Sequence, residues 1–341
     1  MSKRSLNKVQ KSAVESFGRP VLIFAGAGSG KTRVLTHKIA YLIEKDLVLA
    51  PNILAVTFTN KAAQEMRLRV SKLLKDKNTL VNLGTFHSIC ARILRKEIHH
   101  LGYTADFSIF DVKDQVSLVK VVLEAMDIPK NYVTPQEVRY KISYFKNKLI
   151  NPDEAQSKAH LVIEKTHADI YKNYQKALFE NNALDFDDLL ILPLKLFEKN
   201  PKVLEKYRQD WKYILVDEYQ DTNKPQFMLI KYLAGSHQQV CVVGDDDQSI
   251  YGWRGADIRN ILDFEKTFGN CEVFKLEKNY RSTGHILEAA SSVVKNNEDR
   301  APKELVAHNS LGEKLGLIET HDEMEEADAV VNALEKEIKL E

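Results

Sequence analysis

The sequence predicts an α/β protein: a parallel sheet carrying a glycine-rich loop, an inserted α-helical unit, and the opening part of a second α/β unit. Three observations carry this. Short apolar runs at 21–25, 53–58, 81–86, 213–216, 240–243 and 272–276 are continuous rather than alternating, as in strands buried on both faces. Amphipathic stretches such as 34–43 and 62–74 follow them, which is the strand–helix rhythm of a parallel sheet. From about Asp111 to Glu205 that rhythm stops, and apolar residues recur at helical spacing, as in Val116, Val119 and Leu123 or Val138, Ile142 and Phe145.

Taken in order, strand 21–25 runs straight into Gly26-Ala27-Gly28-Ser29-Gly30-Lys31-Thr32, and a helix follows. Strands 53–58 and 81–86 complete a first part, 1–110. In the helical part, 111–205, Pro129, Pro135, Pro152 and Pro201 punctuate the pattern and mark helix starts or ends. The strand–helix rhythm resumes over 206–277. From 278 to 341 the pattern reads helix, strand (315–320), helix, as the beginning of a second unit.

No stretch reaches the roughly 18 consecutive apolar residues that span a bilayer, and 1–10 lacks a signal-peptide core, so a cytoplasmic protein without a membrane partner is expected. The three cysteines, Cys90, Cys241 and Cys271, are far apart and odd in number, which fits reduced thiols better than disulfides or a metal site. The net charge of +1 hides an asymmetry: residues 1–100 hold 18 Lys and Arg against 6 Asp and Glu, whereas 301–341 hold 4 against 11. A basic first hundred residues points to a polyanionic partner.

A strand–loop–helix with Gly-Lys-Thr at the helix start is a phosphate-binding loop in the context that the chemistry needs. Its glycines let backbone N–H groups close on phosphate and the helix dipole adds to them. Lys31 reaches β/γ oxygens and Thr32 offers its hydroxyl to Mg²⁺. The stretch from Ala25 to Arg33 is the expected nucleotide cradle, with Ala25 standing where the strict pattern has Gly. Two carboxylates end strand 213–216: Asp217 is placed to hold Mg²⁺, and Glu218 to orient and deprotonate water. Beyond strand 240–243, the neutral amide of Gln248 suits a γ-phosphate or water, and Arg281 suits charge developing on the transferred group.

Seven segments in one order resemble the superfamily 1 helicases of UvrD/Rep/PcrA type: Leu6-Asn7-x-x-Gln10, Ala25 to Thr32, Thr57-Phe58-Thr59-Asn60-Lys61-Ala62-Ala63, Gly84-Thr85-Phe86-His87-Ser88, Val216-Asp217-Glu218-Tyr219-Gln220-Asp221, Gly244 to Ala256, and Asn279-Tyr280-Arg281-Ser282. The resemblance implies a RecA-like motor domain with an inserted helical subdomain and the start of a second motor domain. It implies ATP as substrate, with Gln10 reading the adenine and Tyr280 stacking on it. It also implies 3′ to 5′ movement along single-stranded DNA, with 3′-tailed duplex as a further partner. The family's later motifs are missing, so the chain reads as an N-terminal portion with little unwinding activity.

On the DNA side, Phe58 lies among Thr57, Thr59, Asn60 and Lys61, where hydroxyls and an ammonium can hold phosphates while the ring stacks on a base. Tyr251, Trp253 and Arg254 form a second aromatic and basic cluster, five residues or so beyond Gln248, so that a γ-phosphate can move a stacking ring. Base stacking tolerates any sequence, which suits a motor. Thr85 and His87 are read as DNA contacts, His87 alternatively as structural. An ATP- and DNA-binding module with little hydrolysis is the second reading. A P-loop kinase leaves Phe58, Trp253 and the basic first hundred residues unexplained.

Overall fold

The computed structural model describes residues 6–75, 80–129, 131–235, 237–298 and 300–338. The protein is α/β. Six parallel strands, β1 (Val21–Ala25), β2 (Ile53–Thr57), β3 (Asn82–Thr85), β6 (Tyr213–Val216), β7 (Val240–Gly244) and β8 (Glu272–Leu276), form one sheet in the order β3-β2-β6-β7-β1-β8.

The continuous apolar runs are explained by two cores. Leu22, Phe24, Leu54, Val56, Ile214, Val216, Val240 and Val242 point into one, and Val21, Ile23, Ala25, Ile53, Ala55, Leu215, Cys241 and Val243 into the other. Helices α1 (Lys8–Glu15), α2 (Lys31–Glu44) and α3 (Asn60–Leu74) cover the second face. Helix α4 (Phe86–Glu97) covers the first, whose other helices come later in the chain.

A parallel pair of three-residue strands, β4 (Ser108–Phe110) and β5 (Ala183–Asp185), ties together the points where the chain leaves the sheet domain and returns. Such short strands are invisible to periodicity, and β5 lies where helices alone are expected. Between them α5 (Val112–Ala125), α6 (Pro135–Asn147), α7 (Pro152–Ser157) and α8 (Val162–Glu180) share a core of Val119, Leu123, Val138, Ile142, Tyr171 and Leu178. Pro135 and Pro152 stand in the first turns of their helices, as their missing N–H permits.

Helices α9 (Phe186–Lys199) and α10 (Pro201–Asp210) also fall in the helical stretch, yet Leu190, Leu194, Phe197, Val203 and Tyr207 pack onto the sheet core. Helix α11 (Lys224–Ala234) and the short α12 (Arg259–Leu262) and α13 (Phe264–Phe268) complete that face.

After β8 come β9 (Lys278–Asn279), α14 (Gly284–Val294), β10 (Val306–Ala307) and α15 (Glu323–Ile338), with β9 and β10 pairing in parallel. The strand expected over 315–320 does not form. Leu317 is 92% exposed, and among the described residues no strand lies alongside to complete a ladder.

Candidate active site and nucleic-acid face

Because all six strands are parallel, their C-terminal ends share one edge, where an open α/β sheet binds ligands. The phosphate loop follows β1, Asp217 and Glu218 follow β6, and Asp245 to Gln248 follow β7. Ala25 is the last residue of β1, paired with Leu276 and wholly buried; its methyl fills core space, so alanine is tolerated at that position.

Gly28 and Gly30 have φ of 65° and 95°, a left-handed backbone that glycine adopts without cost. A Cβ on Gly28 would stand 2.6 Å from Arg281 Cβ. Three of the loop's carbonyls are held by residues outside it, Ala27 O by Asn279 Nδ2 (2.7 Å), Gly28 O by Tyr280 N (2.9 Å) and Ser29 O by Gln10 Nε2 (2.8 Å), while Gly26 O accepts from Ser29 Oγ (2.7 Å) and Ser29 N (3.2 Å) within the loop. A trans peptide directs its N–H opposite to its C=O, so anchoring the Ala27 and Ser29 carbonyls turns the Gly28 and Gly30 amides away from those partners.

Lys31 Nζ is buried and has no hydrogen-bond partner among the described residues; Glu218 Oε2 lies 3.0 Å away without hydrogen-bond alignment. A buried ammonium with one carboxylate beside it and no hydrogen-bond partner among the described residues, at the start of the helix that follows the glycine-rich loop, fits a phosphate. Glu218 itself has φ 48°, an unusual conformation for a side-chain-bearing residue, and its N–H donates to Asp217 Oδ1 at 3.0 Å. Burial first, and the charge of Glu218 second, push the Asp217 carboxyl up to about 7 against the pull of Lys31. The same two causes push Asp221 up to about 6. Crowded carboxyls with one ammonium between them fit a divalent cation, and Asp217 and Thr32, in the first turn of α2, are the residues that would hold Mg²⁺.

Several predicted residues have partners that the sequence did not reveal. Gln10 is buried, its Oε1 accepting from Asn7 N (3.0 Å) in a capping box while its Nε2 holds the loop. Tyr280 OH accepts from Asn7 Nδ2 (2.9 Å), and its ring lies 5.0 Å from that of His308. Arg33 lies half-buried one residue beyond Thr32 in α2, and Arg281 is exposed beside the loop. Gln248 Nε2 donates to Asp245 Oδ2. Gln220, quoted in the segment from Val216 to Asp221 but given no role there, joins two strand ends: its Nε2 donates to Glu218 Oε2 (3.1 Å) and its Oε1 accepts from Asp245 N (3.0 Å). A glutamine two residues beyond paired carboxylates was the available signal.

Along the same edge, Thr59 caps α3 by accepting from Ala62 N (3.1 Å) and Thr85 caps α4 by accepting from Ser88 N (3.3 Å), while buried Thr57 donates to Thr59 O (3.1 Å). Asn60 and Lys61 are exposed at the first turn of α3. Phe58 is half-buried, edge-on to Phe86 at 5.9 Å. His87 packs 5.6 Å from Phe186, and burial lowers its pKa, which favours the neutral ring. Trp253 is 76% exposed, with the Arg254 guanidinium 4.5 Å from its ring and 5.0 Å from that of Tyr251.

Among the described residues no helix is long and apolar enough to cross a membrane. Residues 274–340 match the family model described as UvrD-like helicase C-terminal domain. The ATP-dependent DNA helicase PcrA of Staphylococcus epidermidis is 48% identical over 333 residues, covering 98% of this chain and 46% of that protein. The PcrA of Staphylococcus aureus is 49% identical over 331 residues, 97% of this chain and 45% of the relative. The chain thus spans about half the length of the curated relatives it matches. Residues 6–269 match the family model described as UvrD/REP helicase N-terminal domain, and over that share of its length the chain belongs to the UvrD/REP helicases.

Proposed function

We propose that this chain is the ATP-hydrolysing motor portion of a DNA helicase, with single-stranded DNA as its track, 3′ to 5′ movement and 3′-tailed duplex as the substrate of the whole machine, in the cytoplasm. The observation that supports it best is the buried Lys31 ammonium, at the end of the glycine-rich loop and ion-paired with Glu218 without a hydrogen bond. In this reading the loop from Ala25 to Arg33 binds the phosphates of ATP, and Gln10 and Tyr280 take the adenine. Mg²⁺ on Thr32 and Asp217 would neutralise charge on the β/γ oxygens. Glu218 orients the attacking water and accepts its proton, Gln248 meets the γ-phosphate or that water, and Arg281 offsets charge in the transition state.

Trp253 and Tyr251, steadied by Arg254, form the base-stacking platform. Phe58, Thr57, Thr59, Asn60, Lys61, Thr85 and His87 extend the DNA path along the sheet edge. The first motor domain comprises 1–110 and 206–277, joined in packing by α9 and α10; the helical unit lies between β4 and β5, and a second motor domain opens at 278.

Steady-state ATP hydrolysis with and without oligo-dT tests this. Strong stimulation, lost in Lys31→Ala and Glu218→Gln, is the expected result; hydrolysis indifferent to DNA would overturn it. Binding of both ligands with little turnover is the second reading, favoured by the exposed apolar side chains of α15 and 315–318, which leave the second unit without a core of its own among the described residues.

A further inference from the structure

Lys303 is a buried lysine outside the predicted site, and it lies at the centre of three carboxylates. Its Nζ is 2.9 Å from Asp245 Oδ1 and 2.8 Å from Asp247 Oδ2, and it donates to Asp246 Oδ1 as well. Arg300 adds a forked pair to Asp247, Nε to Oδ1 at 3.1 Å and Nη2 to Oδ2 at 2.8 Å, and Ala301 N donates to Asp246 Oδ2 at 2.7 Å. Three carboxylates on consecutive residues repel one another, and burying them uncompensated is costly. The turn Asp246–Gln248 therefore holds its shape only while the 300–303 segment supplies cations.

One carboxylate in this cluster is shared with the site. Asp245 gives one oxygen to Lys303 and the other to Gln248 Nε2, and its backbone N–H binds Gln220, which binds Glu218. Fixing the Asp245 carboxylate fixes the plane of the Gln248 amide. Lys303 also follows β9 and α14, the elements on either side of Tyr280 and Arg281, so the cluster joins the second segment to the γ-phosphate side of the first.

We propose that Lys303 is a positioning residue for Gln248: through Asp245 it sets the amide that distinguishes a nucleotide with a γ-phosphate from one without. This rests on the reading of Gln248 as the γ-phosphate residue.

Titration of the whole chain with the Mg²⁺ complexes of AMP-PNP and ADP tests it without requiring turnover. Lys303→Met should lower affinity for AMP-PNP by about tenfold while affinity for ADP stays within about twofold, because misplacing one donor affects only the group it meets. Gln248→Ala should do the same, and the double variant should be no worse than Gln248→Ala, since residues acting as one unit are not additive. Lys303→Arg should restore part of the preference. Asp245→Asn, which leaves Lys303 paired with Asp246 and Asp247, should lose it, so the test stands even if Lys303→Met does not fold. A folded Lys303→Met that keeps the unmutated preference, or losses that multiply in the double variant, would overturn the proposal while leaving the reading of Gln248 intact. If Gln248→Ala keeps the preference, or the unmutated chain binds neither nucleotide, the proposal falls together with that reading.

Discussion

Glu218 combines a left-handed backbone with a carboxylate that Gln220 Nε2 and the Lys31 ammonium hold in place. Glu218→Gln keeps that shape and removes the base; it should bind ATP as the unmutated chain does and lose most hydrolysis, by about 10² or more in rate. A variant turning over at the unmutated rate would refute the assignment. Asp217 makes a pH prediction. Its folded carboxyl sits at about 7, above the ordinary value, so the protonated form stabilises the fold. That contribution is fully present below about pH 4 and is lost as pH rises through about 7. Urea unfolding should therefore show Asp217→Asn losing less stability than the unmutated chain between about pH 5 and pH 8. The two aromatic positions should separate in the same assays. Trp253→Ala should weaken oligo-dT binding by about 1–3 kcal/mol at an unchanged melting temperature, while Phe58→Ala, which also vacates its contact with Phe86, should lower both.

At the scale of elements, strand positions were legible because a strand buried on two faces must be apolar throughout. The runs at 21–25, 213–216 and 272–276 coincide with β1, β6 and β8. What escaped were elements whose stability comes from a distant partner: β4 and β5 hold as strands only through each other. The strand expected over 315–320 fails for the converse reason, since apolar side chains alone supply no neighbouring backbone to pair with. The stem of the helical unit carries its own prediction. Lys146, fully buried on α6, lies 2.7 Å from Asp185 Oδ2 and 2.8 Å from Asp188 Oδ1 at the start of α9. Burial opposes its charge, yet the two carboxylates hold its pKa well above the ordinary value. Lys146→Met strands two buried carboxylates and should cost about 3–5 kcal/mol by chemical denaturation. A loss under about 1 kcal/mol would show that the ion pairs do not hold the unit in place.

For the whole molecule, the proposed movement along DNA needs two cored lobes, and among the described residues the strands of the 278–338 segment form only the two-stranded β9–β10 sheet, while apolar residues of α15 stand exposed. The 341-residue chain, though stimulated by oligo-dT, should therefore hydrolyse ATP far more slowly than a full-length relative and not unwind a 3′-tailed duplex; processive unwinding by the purified chain would contradict this. The sequence by itself determined the phosphate loop, the Asp217–Glu218 pair and the strands that carry them, because these chemistries demand particular residue types at fixed local spacing. Only the tertiary structure decided which of those residues are already engaged across the fold: Gln10 on the carbonyl of Ser29, Gln220 between Glu218 and Asp245, and Asp245 on a lysine 58 positions away. A hydrogen-bonding side chain announces its capacity in the sequence, but its partner is chosen by which strand ends the sheet order brings together.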